Sequence, residues 1–395
     1  MGSASQDYVL PDAKAPTLIL AHPTDAEKQR TWSLNHREWG GALTLEEYLK
    51  REPYFTSIPL ARDGGMSHWI LTDSAWMLEF GGDRPILASC ESIRKRVLVA
   101  APGDTEVRDG VGHGIGSVFT YPEFRSHGYG GRMLKDVGAA LRKWQPEGQD
   151  VVCSALWSDI GKLYYAKKGW AAFPSLHVEF LVPADQPQGN ENKASPITYD
   201  NLEPLCQRDE QLLREKLART AREAGRTSIA FAPDYNQMLW HLHRDEFITS
   251  ILFKSTGPSS VKGAIAGTQE GRRVWALWGR GYHGGTPAAN VDKNTLYILR
   301  LVIEPEADEG ENPSEETLEA FKAVIKMAQR EAAAWHLGKI DLWNPTPIAK
   351  KLIERCELEH RWVDREEDSI PSMMWYGDED VRDIEWVANE KYCWC

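Results

Sequence analysis

Apolar residues at 133, 134, 137, 141 and 144 recur at helical spacing, so GRMLKDVGAALRKW (131–144) predicts an amphipathic helix. Other segments switch to the patterns of strands. TLILAHPT (17–24) is a short apolar run closed by a proline turn and predicts a strand. DAEKQRTWSLNHREWG (25–40) predicts a helix capped by Asp25 and stopped by glycine. TLEEYLKREPYF (44–55) predicts another, with Thr44 and Glu47 spaced as a capping box. SHWILTD, PILASCESIRKRVLVA and VGHGIGSVFT predict three antiparallel strands. DVVCSALW then predicts a buried strand, DIGKLYYAKKGW a short helix and LHVEFLV a last strand.

Residues 183–196, PADQPQGNENKASP, combine proline, glycine, asparagine and charge without periodicity, which predicts a linker between domains at 8–182 and 197–395. Beyond it NQMLWHLHRDEFI predicts a helix; SILF, VKGAIAG, RVWALWGRGY and NTLYILRLVI predict strands. A long helix (SEETLEAFKAVIKMAQREAAAWHL), a strand (KIDLWN), a short helix (PIAKKLIERCEL) and a strand (SMMWY) follow. Strand, long helix, strand, short helix, strand thus occurs in both halves, the order expected of a structural duplication.

Composition narrows the chemistry. The 395 residues are 42% hydrophobic and 26% charged, proportions of a globular chain with a substantial core. A formal charge of −12 leaves no basic footprint, so no nucleic-acid partner is expected. No apolar run approaches the ~18 residues of a membrane span. The opening MGSASQDYVLPDAK lacks the basic and apolar regions of a signal peptide, and six cysteines show no framework spacing, so a reduced, cytoplasmic setting is expected.

FRSHGYGGRM (124–133) sets three glycines, two arginines and a histidine where a strand passes into a helix. Glycines admit close backbone approach, and the first-turn N–H groups of a helix attract anions. A dinucleotide fingerprint would need glycine at Met133, and a Walker A loop would need Gly-Lys-Ser/Thr at its end; neither is present. Arg125-Ser-His-Gly128-Tyr-Gly130 instead matches the R/Q-x-x-G-x-G/A loop of the GCN5-related N-acetyltransferases (GNAT). The preceding VFTYPEFR resembles that family's strand-and-proline entry, and KLYYAKKGW resembles its FYEKLGF helix, with Tyr165 at the tyrosine. GSVFT, WSDIGKLYYAKKGW and FPSLHVEF together resemble the fungal lysine N-acetyltransferases of lysine catabolism, which carry a second acetyltransferase-like domain.

The resemblance implies two tandem GNAT-like domains of α/β (α+β) class, each a mixed, mostly antiparallel twisted sheet flanked by helices. It implies acetyl-CoA as donor, no metal, and a small-molecule amine as acceptor, with the side-chain amine of free L-lysine leading. Another amine, or a silent coenzyme A-binding scaffold, is the alternative. Backbone from Arg125 through Ser126, His127, Gly128, Tyr129, Gly130 and Gly131 to Arg132 would hold the pyrophosphate, with charge from Arg125 or Arg132. The resemblance places the pantetheine arm against Val118, Phe119 and Thr120, adds Ser158 to the donor site, and makes Tyr165 the proton donor to the leaving thiolate.

The base is less determined. His113 stands beside the family position, but on a strand where Gly112, Gly114 and Gly116 alternate it points away from the glycine face. His177 and Glu179 on LHVEFLV are the other candidates. In the second half, EPEADEGENPSEE stands where a cradle would be; its seven carboxylates would repel a pyrophosphate. That half is expected to wall the amine pocket, with tryptophans 240, 275, 278, 343, 375 and 386 available as lining. The segment EWVANEKYCWC is a candidate to reach the same cleft.

Overall fold

The computed structural model describes residues 9–76, 83–104, 106–184, 193–283, 287–306 and 312–395. The first half contains β1 (Leu18–Ala21), α1 (Asp25–Trp39), α2 (Leu45–Ser57), β2 (Met66–Asp73), β3 (Ala88–Ala100) and β4 (Arg108–Thr120). It continues with α3 (Tyr129–Leu141), β5 (Val151–Ser158), α4 (Leu163–Ala166), β6 (Ala171–Ala172) and β7 (Leu176–Leu181). The second opens with β8 (Ala194–Ile197), α5 (Tyr199–Ala224), β9 (Ser228–Phe231), α6 (Tyr235–Leu252), β10 (Gly263–Ala266) and β11 (Val274–Gly281). It ends with β12 (Thr295–Ile303), α7 (Glu315–Ala334), β13 (Lys339–Trp343), α8 (Pro347–Arg355), β14 (His360–Asp364), β15 (Ile370–Trp375) and β16 (Glu385–Trp386).

Local chemistry explains most boundaries. Thr24, one residue before the expected Asp25, caps α1, and Glu27 closes a capping box with it. Thr44 and Glu47 do the same for α2. SILF, expected as a strand, continues α6 to Leu252. The 26-residue α5 escaped the sequence pattern, because Pro204 and a strongly polar face blur its periodicity.

Two sheets form. The first runs β1-β2-β3-β4-β5-β15-β6, with β9 paired to the far end of β3 and β16 paired to β9. The second runs β14-β7-β13-β12-β11-β10-β8. The terminal strands are exchanged: β7 pairs with β13 and β14, whereas β15 pairs with β5 and β6. Leu176–Leu181, expected to end the first domain's own sheet, therefore belongs to the second sheet, and the final SMMWY strand belongs to the first. Most of the expected 183–196 linker, residues 185–192, lies outside the described residues, and Ala194–Ile197 is already strand.

One core packs α3 against the first sheet, another packs α7 and α8 against the second. A third lies between, where Val97, Cys153 and Trp157 of the first sheet join Trp275, Leu277 and Leu299 of the second. Among the described residues no helix is long and apolar enough to cross a membrane.

Candidate active site

The centre of the first sheet splays. β4 and β5 run parallel and paired only from Val111 to Ile115, after which β5 keeps company with β15 and β4 with β3. Gly116–Thr120 is thereby left with no strand on its β5 side. Two residues, Ser117 and Val118, stand opposite Cys90 alone, and Ser117 has a φ of 53°. Such a bulge bends the strand and re-aims its backbone.

The splayed strand leads into the glycine turn. Gly128, at φ 83°, precedes the first turn of α3, and no side chain caps that helix. Its leading N–H groups therefore stay available to a ligand. A Cβ on Gly130 would stand 2.7 Å from Thr120 Oγ1, and one on Gly131 would stand 2.9 Å from Lys168 Nζ. The turn thus leaves no room for a side chain at either position without moving a neighbour.

Around this turn the expected side chains divide. Arg125 is exposed, donates from Nε to the Thr120 carbonyl at 3.0 Å, and lays its guanidinium over Phe119. Ser126, at φ 66°, and His127 are exposed, and His127 Nδ1 bonds the Arg125 carbonyl. Arg132 is committed elsewhere: it pairs with Asp136 and donates to the carbonyls of Ala13, Ala15 and Leu18. The Tyr129 ring is buried and its hydroxyl donates to Pro11, leaving only its backbone for a ligand. Ser158 uses its hydroxyl on the Gly161 carbonyl and the Ile160 N–H, within its own turn. Lys168, unmarked by the sequence pattern, brings a cation to Gly131.

Tyr165 is buried in the cluster that contains Cys90, Ile115 and Leu156, beside the splay. Burial pushes its hydroxyl well above the usual tyrosine range, so it stays protonated. Its neighbour Tyr164 is exposed and reaches the first turn of α3.

On the opposite face of β4 the three alternating glycines leave room for the C-terminal segment. A Cβ on Gly114 would stand 3.0 Å from both Cys395 Sγ and Lys95 Cε. Lys95 donates to the Cys393 carbonyl at 2.6 Å, and Gln237 and His241 bond the Tyr392 carbonyl at 2.6 and 2.8 Å. Next to this segment a cavity of about 700 Å³ opens between the halves. Its walls include Glu52 of α2, Glu91, Gly116 and Ser117 from the splay, Arg244 of α6, Lys339 of β13, and Lys391 and Trp394. Of the six tryptophans available as lining, Trp240 alone lines it.

Glu91 is the carboxylate nearest the splay in register, paired across to Gly116. Ser117 Oγ donates to it at 3.0 Å, and His68 Nε2 lies 3.4 Å away. Burial raises its carboxyl above the ordinary range, opposed by the Ser117 bond and the Arg244 charge. Glu52, held by Arg51 at 2.9 Å, is raised by burial as well.

None of the three bases expected from sequence lines the cavity. His113 is fully buried on the opposite face, beside Gln145, and among the described residues neither ring nitrogen meets a partner in hydrogen-bond geometry. Burial pushes it down to about 4. His177 and Glu179 lie in the second sheet, 3.3 Å apart, and Glu179 also pairs with Lys339 and Arg361. Burial works against it, but hydrogen bonds from Lys339, Arg361 and His177 hold Glu179 down at about 2. His177, Glu179 and Asp341 place one ligand atom each within 4.8 Å of one another, but the Lys339 ammonium stands between the two carboxylates.

The second sheet splays in the same way. β12 and β13 pair only from Thr295 to Ile298 on β12. The gap is filled from within: Leu301 N–H donates to Glu390 at 2.9 Å, Glu390 pairs with Arg300, and Asn344 donates to the Asn389 carbonyl at 2.6 Å. Part of the acidic stretch expected to bar a pyrophosphate, residues 307–311, lies outside the described residues.

The model of the LYC1 GNAT-like C-terminal domain family matches residues 177–395, more than half of the chain. A lysine acetyltransferase of Yarrowia lipolytica is 22% identical over 422 residues, covering 93% of this chain and 97% of its own. An uncharacterised protein of Saccharomyces cerevisiae is 21% identical over 415 residues, covering 95% and 98%. Among solved structures, a conserved protein of Enterococcus faecalis V583 superposes with a TM-score of 0.51 at 12% identity, covering 90% of this chain and 72% of its own.

Proposed function

The chain belongs to the LYC1 GNAT-like family, and from that premise we propose that it moves an acetyl group from acetyl-CoA to the amine of a small molecule, foremost the side-chain amine of free L-lysine. The observation that carries this reading is the unpaired Gly116–Thr120 edge, joined at one end to an uncapped helix and at the other to the cavity between the halves. The Yarrowia relative, a lysine acetyltransferase by name, supports the choice of amine.

Acetyl-CoA supplies the activated thioester. The N–H groups of the Gly128–Arg132 turn hold its pyrophosphate, with Arg125 and Lys168 as the nearby cations. The splayed strand leaves backbone N–H groups near Val118 and Phe119 to stabilise the carbonyl oxygen as it gains charge. A lysine amine with pKa ~10.4 must lose a proton before it can attack. Glu91 receives that proton: its carboxylate lines the cavity at the splay, and burial raises it above the ordinary range, which strengthens it as a base. Ser117 fixes the carboxylate from the bulge, and His68 stands behind it. The neutral amine nitrogen bonds to the acetyl carbon, the carbon–sulfur bond breaks, Tyr165 gives its proton to the departing thiolate, and the surplus proton on the nitrogen passes through solvent to the tyrosinate.

A thiol-release assay with acetyl-CoA and a panel of amines tests the reading. Turnover with L-lysine is expected. Glu91→Gln should cut kcat by about a hundredfold or more, and Tyr165→Phe by about tenfold or more, each with acetyl-CoA binding retained. Failure of every amine, or an unchanged rate in both variants, would overturn it.

A further inference from the structure

Three of the six cations of the cavity wall have ion-pair partners, and a fourth, Lys293, is exposed. Arg51 pairs with Glu52, Arg280 with Asp245 and Glu331, and Lys339 with Glu179. Lys391 and Arg244 differ. Among the described residues neither makes an ion pair or a hydrogen bond, yet Lys391 is 92% buried, since only 8% of its surface is exposed. Its amine packs on Trp394 at 3.9 Å, Trp343 at 4.4 Å and Tyr297 at 4.7 Å, and burial with the Arg365 and Arg244 charges pushes it down to about 7 against the pull of Asp159 and Asp341. The Arg244 guanidinium lies 4.4 Å from Phe55, 4.9 Å from Trp240 and 5.2 Å from the same Trp394.

Aromatic faces attract a cation, but they do not replace a counter-ion in a place shut off from water. Two positive charges gathered on one indole also repel each other. Burial and the Arg51 charge still outweigh the pull of Glu52 and Glu91 on Arg244, so a further anion would relieve both cations, and both line a cavity large enough to admit one. The aromatic cage cannot serve a ligand's ammonium, because the protein's own ammonium already fills it. The pyrophosphate is not the missing anion either, since its turn opens α3, which packs in the cluster on the other side of the first sheet.

We infer that Arg244 and Lys391, gathered on Trp394, form a subsite for a carboxylate, so that the amine acetylated here belongs to an amino acid and not to a polyamine. The inference rests on the acetyl-transfer reading above and adds the second recognition point of the acceptor. The planar fork of Arg244 suits a carboxylate's two oxygens, and Lys391 supplies a point charge. Glu91 and Glu52 then face the amine while the two cations face the acid group. A diamine would set its second ammonium against them.

Calorimetric titration separates this subsite from the chemistry. L-Lysine and L-ornithine are compared with L-lysinamide and putrescine, which lack the carboxylate, on wild type, Lys391→Met and Arg244→Gln. Lys391→Met keeps the apolar stem against its rings, and retained acetyl-CoA binding shows that each variant is folded. The acids should bind wild type at least about tenfold more tightly than the carboxylate-free amines. Each substitution should remove most of that difference while changing the carboxylate-free ligands less than about twofold. Equal affinity for both classes, equal losses for both in the variants, or binding of none would overturn the subsite. Failure of acetyl transfer to every amine, with the binding difference intact, would overturn the reaction and leave the subsite standing.

Discussion

Burial pushes five histidines among the described residues below the ordinary range: His68, His113, His177, His241 and His283. His68, His113 and His177 are each pushed down to about 4, against 6.5 for the free side chain. The unfolded chain therefore takes up protons first as pH drops below 6.5, and the folded chain follows only near 4. Between those values acidification favours unfolding by up to about 1.4 kcal/mol per pH unit for each histidine. His113→Leu removes one such group, together with two ring nitrogens that meet no partner in hydrogen-bond geometry among the described residues. Urea denaturation at pH 7.5, 5.5 and 4.5 should find the variant at least as stable as wild type at neutral pH, and losing less on acidification. An unchanged acid slope would show that His113 is not held neutral. Sequence alone put His113 on the right face, because alternation along a strand is a local rule. It did not single out Glu91. Nothing in ASCESIRKRV marks that position; only the pairing with Gly116 and the bulge at Ser117 bring it to the cavity. Arg244 and Lys391 escaped for the same reason, since their lack of a partner is a property of the folded surroundings.

At the scale of elements the glycine turn was the most legible feature, because its chemistry lies within a few residues of itself. A methyl group at Gly130 would press on Thr120 Oγ1 at 2.7 Å. Gly130→Ala should therefore weaken acetyl-CoA binding by about tenfold through the displaced strand end. Global stability should change little, because alanine favours the helix that begins there. Calorimetry with coenzyme A checks this, and Thr120→Ala added to the variant should restore much of the affinity. No restoration would mean that the clash lies elsewhere. The same local logic found the Thr44 capping box and the short Tyr165 helix. It failed for SILF, whose apolar residues fit helix or strand equally well over so short a run, and α6 simply continues through them to Leu252.

At the scale of the whole molecule, the order of elements foretold the duplication but not the exchange of strands. Leu176–Leu181 finds its partners at Lys339–Trp343 and His360–Asp364, far along the chain, and no spacing rule carries that information. With β7 in the second sheet and β9, β15 and β16 in the first, neither sheet is complete without residues from both halves. Scanning calorimetry should accordingly show one cooperative transition, with calorimetric and van't Hoff enthalpies in agreement. Two resolved transitions would contradict the interlock. The second sheet has also given up its gap: Asn389 and Glu390 occupy the opening between β12 and β13, and the same segment runs on to the glycine face of β4. That filled gap has a consequence for descent. On the acetyl-transfer proposal, one copy of the duplicated fold holds the donor turn, while the other supplies Arg244, Lys339, Lys391 and Trp394 to the wall of the cavity. Mutations that retune the acceptor can accumulate there without touching the donor turn. Lineages of this fold are free to change what they modify while keeping how they modify it.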